Sequence, residues 1–476
     1  MPAAPPRLRR HSFGTRYLTL FASETFSKLC VLSAFAYLAR VLAPAEYGTV
    51  ELALSITVFF VLGVESGMGL YGARLISAAP ERIPQLVPQV MLLRLLLGLP
   101  AYALMLAAAA RYRATGLGIL AVYGIAVLLT PFLTQWVFQG LRQMHWVAAG
   151  TATRSITFLV VVLLFVGPGS DVRRVAMAEV AGIGALAMFN ELILHGRLRV
   201  RLDWRGLVAG ARHVFRDVWF MGISDFTWAC LWYSPALVIG WVATGGDEQV
   251  AWVGAAVRIV LALHTFVFLY FFNLLPDLAR ELASSLDGWR DVMHRSLATS
   301  MWPAALVAVG GTLIAPLLIP AVYGEAFQPA VVPFQIAIWM IPLTWFSGHF
   351  RFSLIAHGKQ RWEFAVSLAT AVVTVGTGLI FARRYGSAGA AGALVVGGAV
   401  NATLAVVACQ RRVGTVSIVR SAGRVAAAAA ISLAAGAAIQ PAAGILAGAT
   451  VATLLYCGLA LRQQEVLTAV RGWLAR

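Results

Sequence analysis

Fourteen runs of mostly apolar residues follow one another along the chain with short polar breaks between them: 17–40, 48–72, 84–110, 116–140, 147–168, 174–195, 214–241, 249–275, 296–322, 330–357, 362–382, 388–409, 421–438 and 442–462. A helix needs about 20 such residues to cross the hydrocarbon layer of a bilayer. The pattern therefore predicts an all-α polytopic membrane protein with about 14 transmembrane helices. Two breaks are longer than the rest: "GRLRVRLDWRGLVAGARHVFR" after the sixth run and "RELASSLDGWRDVMHR" after the eighth.

Charge then fixes a direction. Cytoplasmic loops of membrane proteins are rich in Lys and Arg. With the N-terminus inside, 25 of the 37 basic residues fall on the tails and even-numbered loops or in the span ends bordering them. Seven (Arg40, Arg111, Arg113, Arg173, Arg174, Arg383 and Arg384) fall on the opposite side, and five lie within spans. This predicts that both termini face the cytoplasm. It also accounts for much of the net charge of +17 without nucleic acid, which would need a basic soluble domain to contact it. Only 12% of the residues are charged, against about 25% in soluble proteins. The opening "MPAAPPRLRRHSFGTR" reads as a cytoplasmic tail rather than a signal peptide. Cys30, Cys230, Cys409 and Cys457 all lie in apolar runs without metal or redox spacing, and read as small hydrophobes.

"LARVLAPAEYG", residues 38–48, becomes the first external turn. Arg40 ends span one, Pro44 prevents the helix from continuing and Gly48 starts the return. The chain also repeats itself. "FQGLRQMHW" follows span four and "IAHGKQRWEF" follows span ten, each with a glycine (Gly140, Gly358), a basic residue and glutamine (Arg142–Gln143, Lys359–Gln360), then an aromatic. Six spans separate the copies, so the halves are parallel and related by an axis along the membrane normal, as in other alternating-access carriers.

"LARVLAPAEYGTVELALSITVFF" resembles the opening hairpin of bacterial polysaccharide-biosynthesis flippases of the O-antigen type. "FFNLLPDLARELA" is similar to their span-eight exit, and "AVYGEAFQPAVVPFQIA" and "RRYGSAGAAGALVVGGAVNATL" to their later external turns. The resemblance implies the fold of the multidrug/oligosaccharidyl-lipid/polysaccharide exporter superfamily: two six-helix lobes related by a pseudo-twofold around a central cavity, plus two C-terminal helices. On this chain the lobes correspond to residues 1–205 and 206–412, with spans 13 and 14 in 413–476. The resemblance further implies a non-enzymatic flippase of the bacterial inner membrane. Its substrate would be an undecaprenyl-pyrophosphate-linked oligosaccharide moved from the inner to the outer leaflet. The implied partners are membrane lipids and a polysaccharide polymerase with its chain-length machinery, with no cofactor beyond a coupling H+ or Na+. A lipid II flippase and a cation-coupled drug exporter share this architecture. A membrane glycosyltransferase or polymerase is a third reading, but the short external loops hold few catalytic candidates.

A charge at mid-bilayer costs at least about 2.5–3.5 kcal/mol, which makes such residues functional candidates. Lys28, Arg94 and Arg258 lie deep within their spans and are expected to line a cavity for the pyrophosphate, a ligand that arginine contacts bidentately. Arg154 and Arg351 are nearer the cytoplasmic ends; they are further substrate candidates but near enough to snorkel to water. Asp225, Glu24 and Glu65 are the coupling candidates. Glu24 precedes Lys28 by four residues on one helical face, and Asp225 is placed to pair with Arg258. Glu51, Glu179 and Glu191 sit toward span ends and are expected to reach interfacial water. In span seven, Trp219 and Trp241 fit interfacial belts. Trp228 and Trp232 are deeper, Pro235 loosens the helix, and Ser234 is placed to satisfy the freed backbone.

Overall fold

The computed structural model describes residues 13–112, 116–242, 246–417 and 419–463, with the side chains of 13–21, 108–109, 111–112, 116–117, 219–221, 223–225 and 419–421 outside the description. Every regular element among the described residues is a helix. In order they are α1 (Phe13–Val41), α2 (Pro44–Glu65), α3 (Met68–Ala78), α4 (Ile83–Tyr112), α5 (Gly116–Leu129), α6 (Gln135–Gly140), α7 (Met144–Phe165), α8 (Arg173–Glu191), α9 (Leu207–Val242), α10 (Gly246–Ser284), α11 (Leu286–Tyr323), α12 (Val331–Ala337), α13 (Met340–Ala356), α14 (Gln360–Arg412), α15 (Val419–Ala443) and α16 (Ile445–Leu461). Ten helical stretches among the described residues are long and apolar enough to cross a membrane, and every expected span coincides with helix.

Three spans are broken. Span two is α2 plus α3, interrupted at Ser66 and Gly67, which both have positive φ. Span four is α5 and α6 around a 3-10 turn at Thr130–Phe132, and span ten is α12 and α13. Spans eleven and twelve, given together as α14, are two helices that meet at Gly386 (φ 58°, ψ −137°), a conformation that glycine alone adopts readily. Gln249 of α10 caps this turn by accepting a hydrogen bond from the Ser387 amide, 2.8 Å. The long break expected after span eight contracts to one residue. Ser285 caps α11 by accepting from the Gly288 amide, and α10 and α11 run helical on either side. At 1.5 Å per residue, both helices are far longer than the roughly 30 Å hydrocarbon layer. Their polar ends therefore project beyond it, where hydropathy no longer reports the helix.

The chain forms two compact units. Among the described residues the first comprises those within 13–35 and 60–222, the second those within 36–59 and 223–463. The expected lobes divide the chain once between its halves, whereas these units divide it within α1, within α2 and within α9. In the first unit, α7 packs on α8, α5 on both α4 and α8, and α3 on α6. Its core joins Met68, Ile76, Val87, Trp136 and Phe138 to Val214 and Val218 at the start of α9. In the second unit, α15 and α16 pack on each other and on α11, where Tyr456 donates to the Trp302 carbonyl and Gln440 to that of Leu313. Side chains such as Leu104, Leu164, Ile380 and Leu454 are exposed, as expected of faces turned to lipid.

Candidate functional site

The turn 38–48 is bound within the second unit by α10 and α11. A backbone that leaves α1 and re-enters α2 over two residues needs its polar groups satisfied locally, and Glu46 supplies this by accepting from the Ala43 amide, 3.0 Å. The last carbonyls of α11 have no helical partner. Arg40 donates to two of them, Ala321 at 2.5 Å and Val322 at 3.4 Å. Tyr47 is fully buried against Tyr323 and Phe327, the latter edge-on at 5.0 Å between ring centroids. A Cβ on Gly48 would lie 1.6 Å from the Asp247 carbonyl oxygen, so only glycine permits α2 to approach α10 this closely. One turn further, Glu51 accepts from both Nε (2.9 Å) and Nη2 (2.5 Å) of Arg258 through a single oxygen. Gly254 makes room for that carboxylate.

This places Glu51 differently from the sequence expectation. It is buried and paired rather than at interfacial water, because the partner that neutralises it lies 207 residues away on α10. Arg258, expected beside Asp225, meets Glu51; the Asp225 side chain lies outside the described residues, as does that of Trp219.

Arg94 joins two of the broken spans in the first unit. Its Nη1 donates to the carbonyls of Thr130 and Leu133, each 3.0 Å, groups freed by the break in span four. Its Nη2 pairs with Glu65, whose other contact is the Gly69 amide at the break in span two. With 1% of its surface exposed, Arg94 holds two helix interruptions together. Arg94→Gln should therefore lower stability by about 3–5 kcal/mol, the range for a buried pair deprived of one partner. Arg94→Lys should not restore it, since an ammonium lacks the planar fork that reaches both carbonyls and the carboxylate. Thermal unfolding of the purified protein measures both.

Arg154 and Arg351 do not snorkel alone. Arg154 of α7 pairs with Glu179 of α8, and Arg351 of α13 pairs with Glu363 of α14, which also accepts from Ser367 at 3.0 Å. Each pair ties neighbouring helices within its own unit. Glu179 is thus buried rather than interfacial, and Glu191 is partly buried beside His195 at 3.2 Å. Arg351→Gln should reduce the amount of folded protein, and adding Glu363→Gln should recover it, as read by fluorescence size-exclusion. Lys28 and Glu24 are half-buried one turn apart on α1. Trp232 is core and Trp228 half-buried, while Trp241 is 72% exposed. α9 runs helical through Pro235, and Ser234 does not satisfy a freed backbone group there. Its Oγ is buried without a hydrogen-bond partner among the described residues.

The repeated turns share one backbone hydrogen-bond pattern, though in a different register from the residue match. Gln143 donates to the Phe138 carbonyl and Lys359 to that of Leu354, each 2.8 Å across six residues. Arg142 and Gly358 hold the left-handed position before them, at φ 58° and 69°. Trp146 and Trp362 follow three residues later. These are Schellman-type helix ends. Gly140 is not the counterpart of Gly358: a Cβ there would meet Ala73 and Ile76 of α3, so its glycine serves close packing instead.

A family described as "Polysaccharide biosynthesis protein" matches residues 15–282. No curated protein sequence matches. Among solved structures, the chain resembles one described as lipid II flippase MurJ in an inward closed conformation, with a TM-score of 0.72 at 12% identity over 94% of this chain and 98% of that one. It also resembles an inward-facing multidrug resistance MATE family transporter of the MOP superfamily, with a TM-score of 0.68 at 16% identity over 86% and 98%. A MOP superfamily transporter from Pyrococcus furiosus follows at 0.59, with 14% identity over 88% and 97%. At such identities the likeness is one of fold.

Proposed function

This chain belongs to the polysaccharide biosynthesis protein family, and on that premise we propose that it flips an undecaprenyl-pyrophosphate-linked oligosaccharide from the inner to the outer leaflet by alternating access. The observation that carries the reading is the Glu51–Arg258 pair, buried between a hairpin from the first half of the chain and a helix from the second. Arg258 presents a planar fork to a carboxylate, and the same fork fits a phosphate oxygen pair. A pyrophosphate that displaces Glu51 from Arg258 removes one of the ties between the hairpin and α10. Arg40 and Tyr47 remain as the rest of the fastening, so opening depends on the arrival of a doubly charged headgroup. Arg258 stays paired through the exchange, while the released Glu51 carboxylate has to take up a proton or water, since leaving it buried and charged without a partner is costly.

Reconstitution tests the reading directly. In sealed vesicles, a fluorescent undecaprenyl-pyrophosphate oligosaccharide should become accessible on the opposite face only with the protein present. A neutral polyprenyl glycoside should not be moved. The fold likeness to MurJ supports lipid II as the second substrate to try; transport of lipid II alone would reassign the glycan and leave the mechanism intact. We further propose that the chain lies in a bacterial inner membrane and works beside a polysaccharide polymerase and its chain-length machinery. Both termini and residues 196–213 would face the cytoplasm. A cysteine placed at Val200 should react with an impermeant maleimide only after the cells are permeabilised, and labelling in intact cells would contradict this orientation.

A further inference from the structure

Arg94, Arg154, Arg258 and Arg351 are all paired with carboxylates. Arg74 and Arg82 are different: both are exposed, neither forms an ion pair among the described residues, and both line one cavity of about 590 Å³ in the first unit. Its walls are the end of α3, the turn at Pro80–Arg82, the first turns of α4 and the early turns of α9. Its one acid, Asp217, already accepts from the Tyr71 hydroxyl at 2.6 Å and has His213 at 3.7 Å. The lining therefore keeps an excess of unpaired positive charge. Gln85 and Gln89, one turn apart on α4, add two neutral amides.

The cavity lies where two spans end. The apolar stretch containing α3 finishes at Ala78, and the next begins at Pro80. On α3, Leu70 is 65% exposed and precedes Arg74 by four residues, so a lipid-facing side chain and an unpaired guanidinium share one helical face. A hydrocarbon chain lying along Leu70 thus brings its polar head to Arg74. The volume falls in the range of small-ligand sites.

We propose that this cavity binds the phosphate-bearing headgroup of a membrane lipid. Arg74 and Arg82 take the phosphate oxygens, and Gln85 and Gln89 take hydroxyls of the group attached to it. Two lipids share this chemistry, a polyprenyl pyrophosphate and an anionic glycerophospholipid. If the first is the ligand, the cavity is a loading site and that part of the inference rests on the proposed function.

The test uses the full chain in nanodiscs of phosphatidylcholine, with binding of undecaprenyl pyrophosphate and of phosphatidylglycerol measured separately by native mass spectrometry. Arg74→Gln with Arg82→Gln should weaken binding of at least one of the two lipids tenfold or more. The melting temperature should stay unchanged, since both side chains are exposed. Arg280→Gln with Arg290→Gln removes the same charge from ion-paired positions in the second unit, Arg280 exposed and Arg290 half-buried, and should leave binding as it was. Loss confined to undecaprenyl pyrophosphate supports a loading site, and loss confined to or shared by phosphatidylglycerol supports a site for bulk anionic lipid. Wild-type binding of both lipids by the Arg74/Arg82 variant overturns the proposal, as does an equal loss in the Arg280/Arg290 control. The flipping assay is scored apart from this. Flipping by the wild type with no binding change in the variant overturns the cavity alone, and no flipping with a clear binding change overturns the proposed function alone.

Discussion

Arg258→Leu is expected to abolish surface polysaccharide and to lower protein abundance as well, because it leaves the Glu51 carboxylate buried without a counter-charge. Breaking a buried pair in this way costs about 3–5 kcal/mol, a large share of a typical stability. Glu51→Gln should be milder for folding, since an amide still accepts from the guanidinium. Combining Glu51→Gln with Arg258→Gln removes both charges and should bring abundance back toward normal. Transport separates the two roles of the pair. If Arg258 holds the substrate phosphate, the double variant folds but does not flip lipid-linked glycan in vesicles; if the pair is only structural, flipping returns with folding. Arg258→Lys keeps the charge without the planar fork and should transport partially. Normal transport by Arg258→Leu would remove the phosphate role altogether.

Gly48→Ala should be nearly as damaging, although it adds a single methyl group. That carbon would lie 1.6 Å from the Asp247 carbonyl oxygen and 3.1 Å from the Ala251 amide nitrogen. Both are backbone atoms of α10 and have no rotamer to change, so α2 itself must move away from α10. Overpacking in a well-fitted interior costs about 1–3 kcal/mol, and a clash with backbone belongs at the upper end or above. The displacement also pulls Glu51, three residues on, away from Arg258. Export should fall steeply even at reduced growth temperature, where folding is more forgiving. Gly63→Ala, on the same helix with nothing within 4 Å of its added carbon, is the matched control. It should change stability and export little, because alanine is if anything the better helix former there. Equal effects at the two positions would show that α2 needs flexibility rather than contact with α10.

The number of spans was legible because hydropathy is local: a run of apolar residues has the same meaning whatever it packs against. Gly386 and Ser285 mark where that locality ends. Hydropathy separated spans eleven and twelve, but only the Gln249 contact shows how the chain turns between them. It also read the helical, polar ends of α10 and α11 as a loop, since nothing apolar marks a helix that has left the membrane.

Buried charge followed the same division. By itself the sequence determined which side chains were anomalous: Arg94, Arg154, Arg258 and Arg351 are cations in apolar runs and need partners. It also showed the turn of Arg40, Tyr47 and Gly48 to be a distinct element. Which carboxylate answers which cation is a matter of tertiary structure. Coulomb attraction acts through space, and Glu51 reaches Arg258 across 207 residues of chain, while Arg94 finds backbone carbonyls that exist as acceptors only because span four is broken. The packing of the hairpin against α10 and α11 turned what reads in sequence as a simple turn into a fastening, because Gly48 and Tyr47 acquire their roles only from the surfaces brought against them.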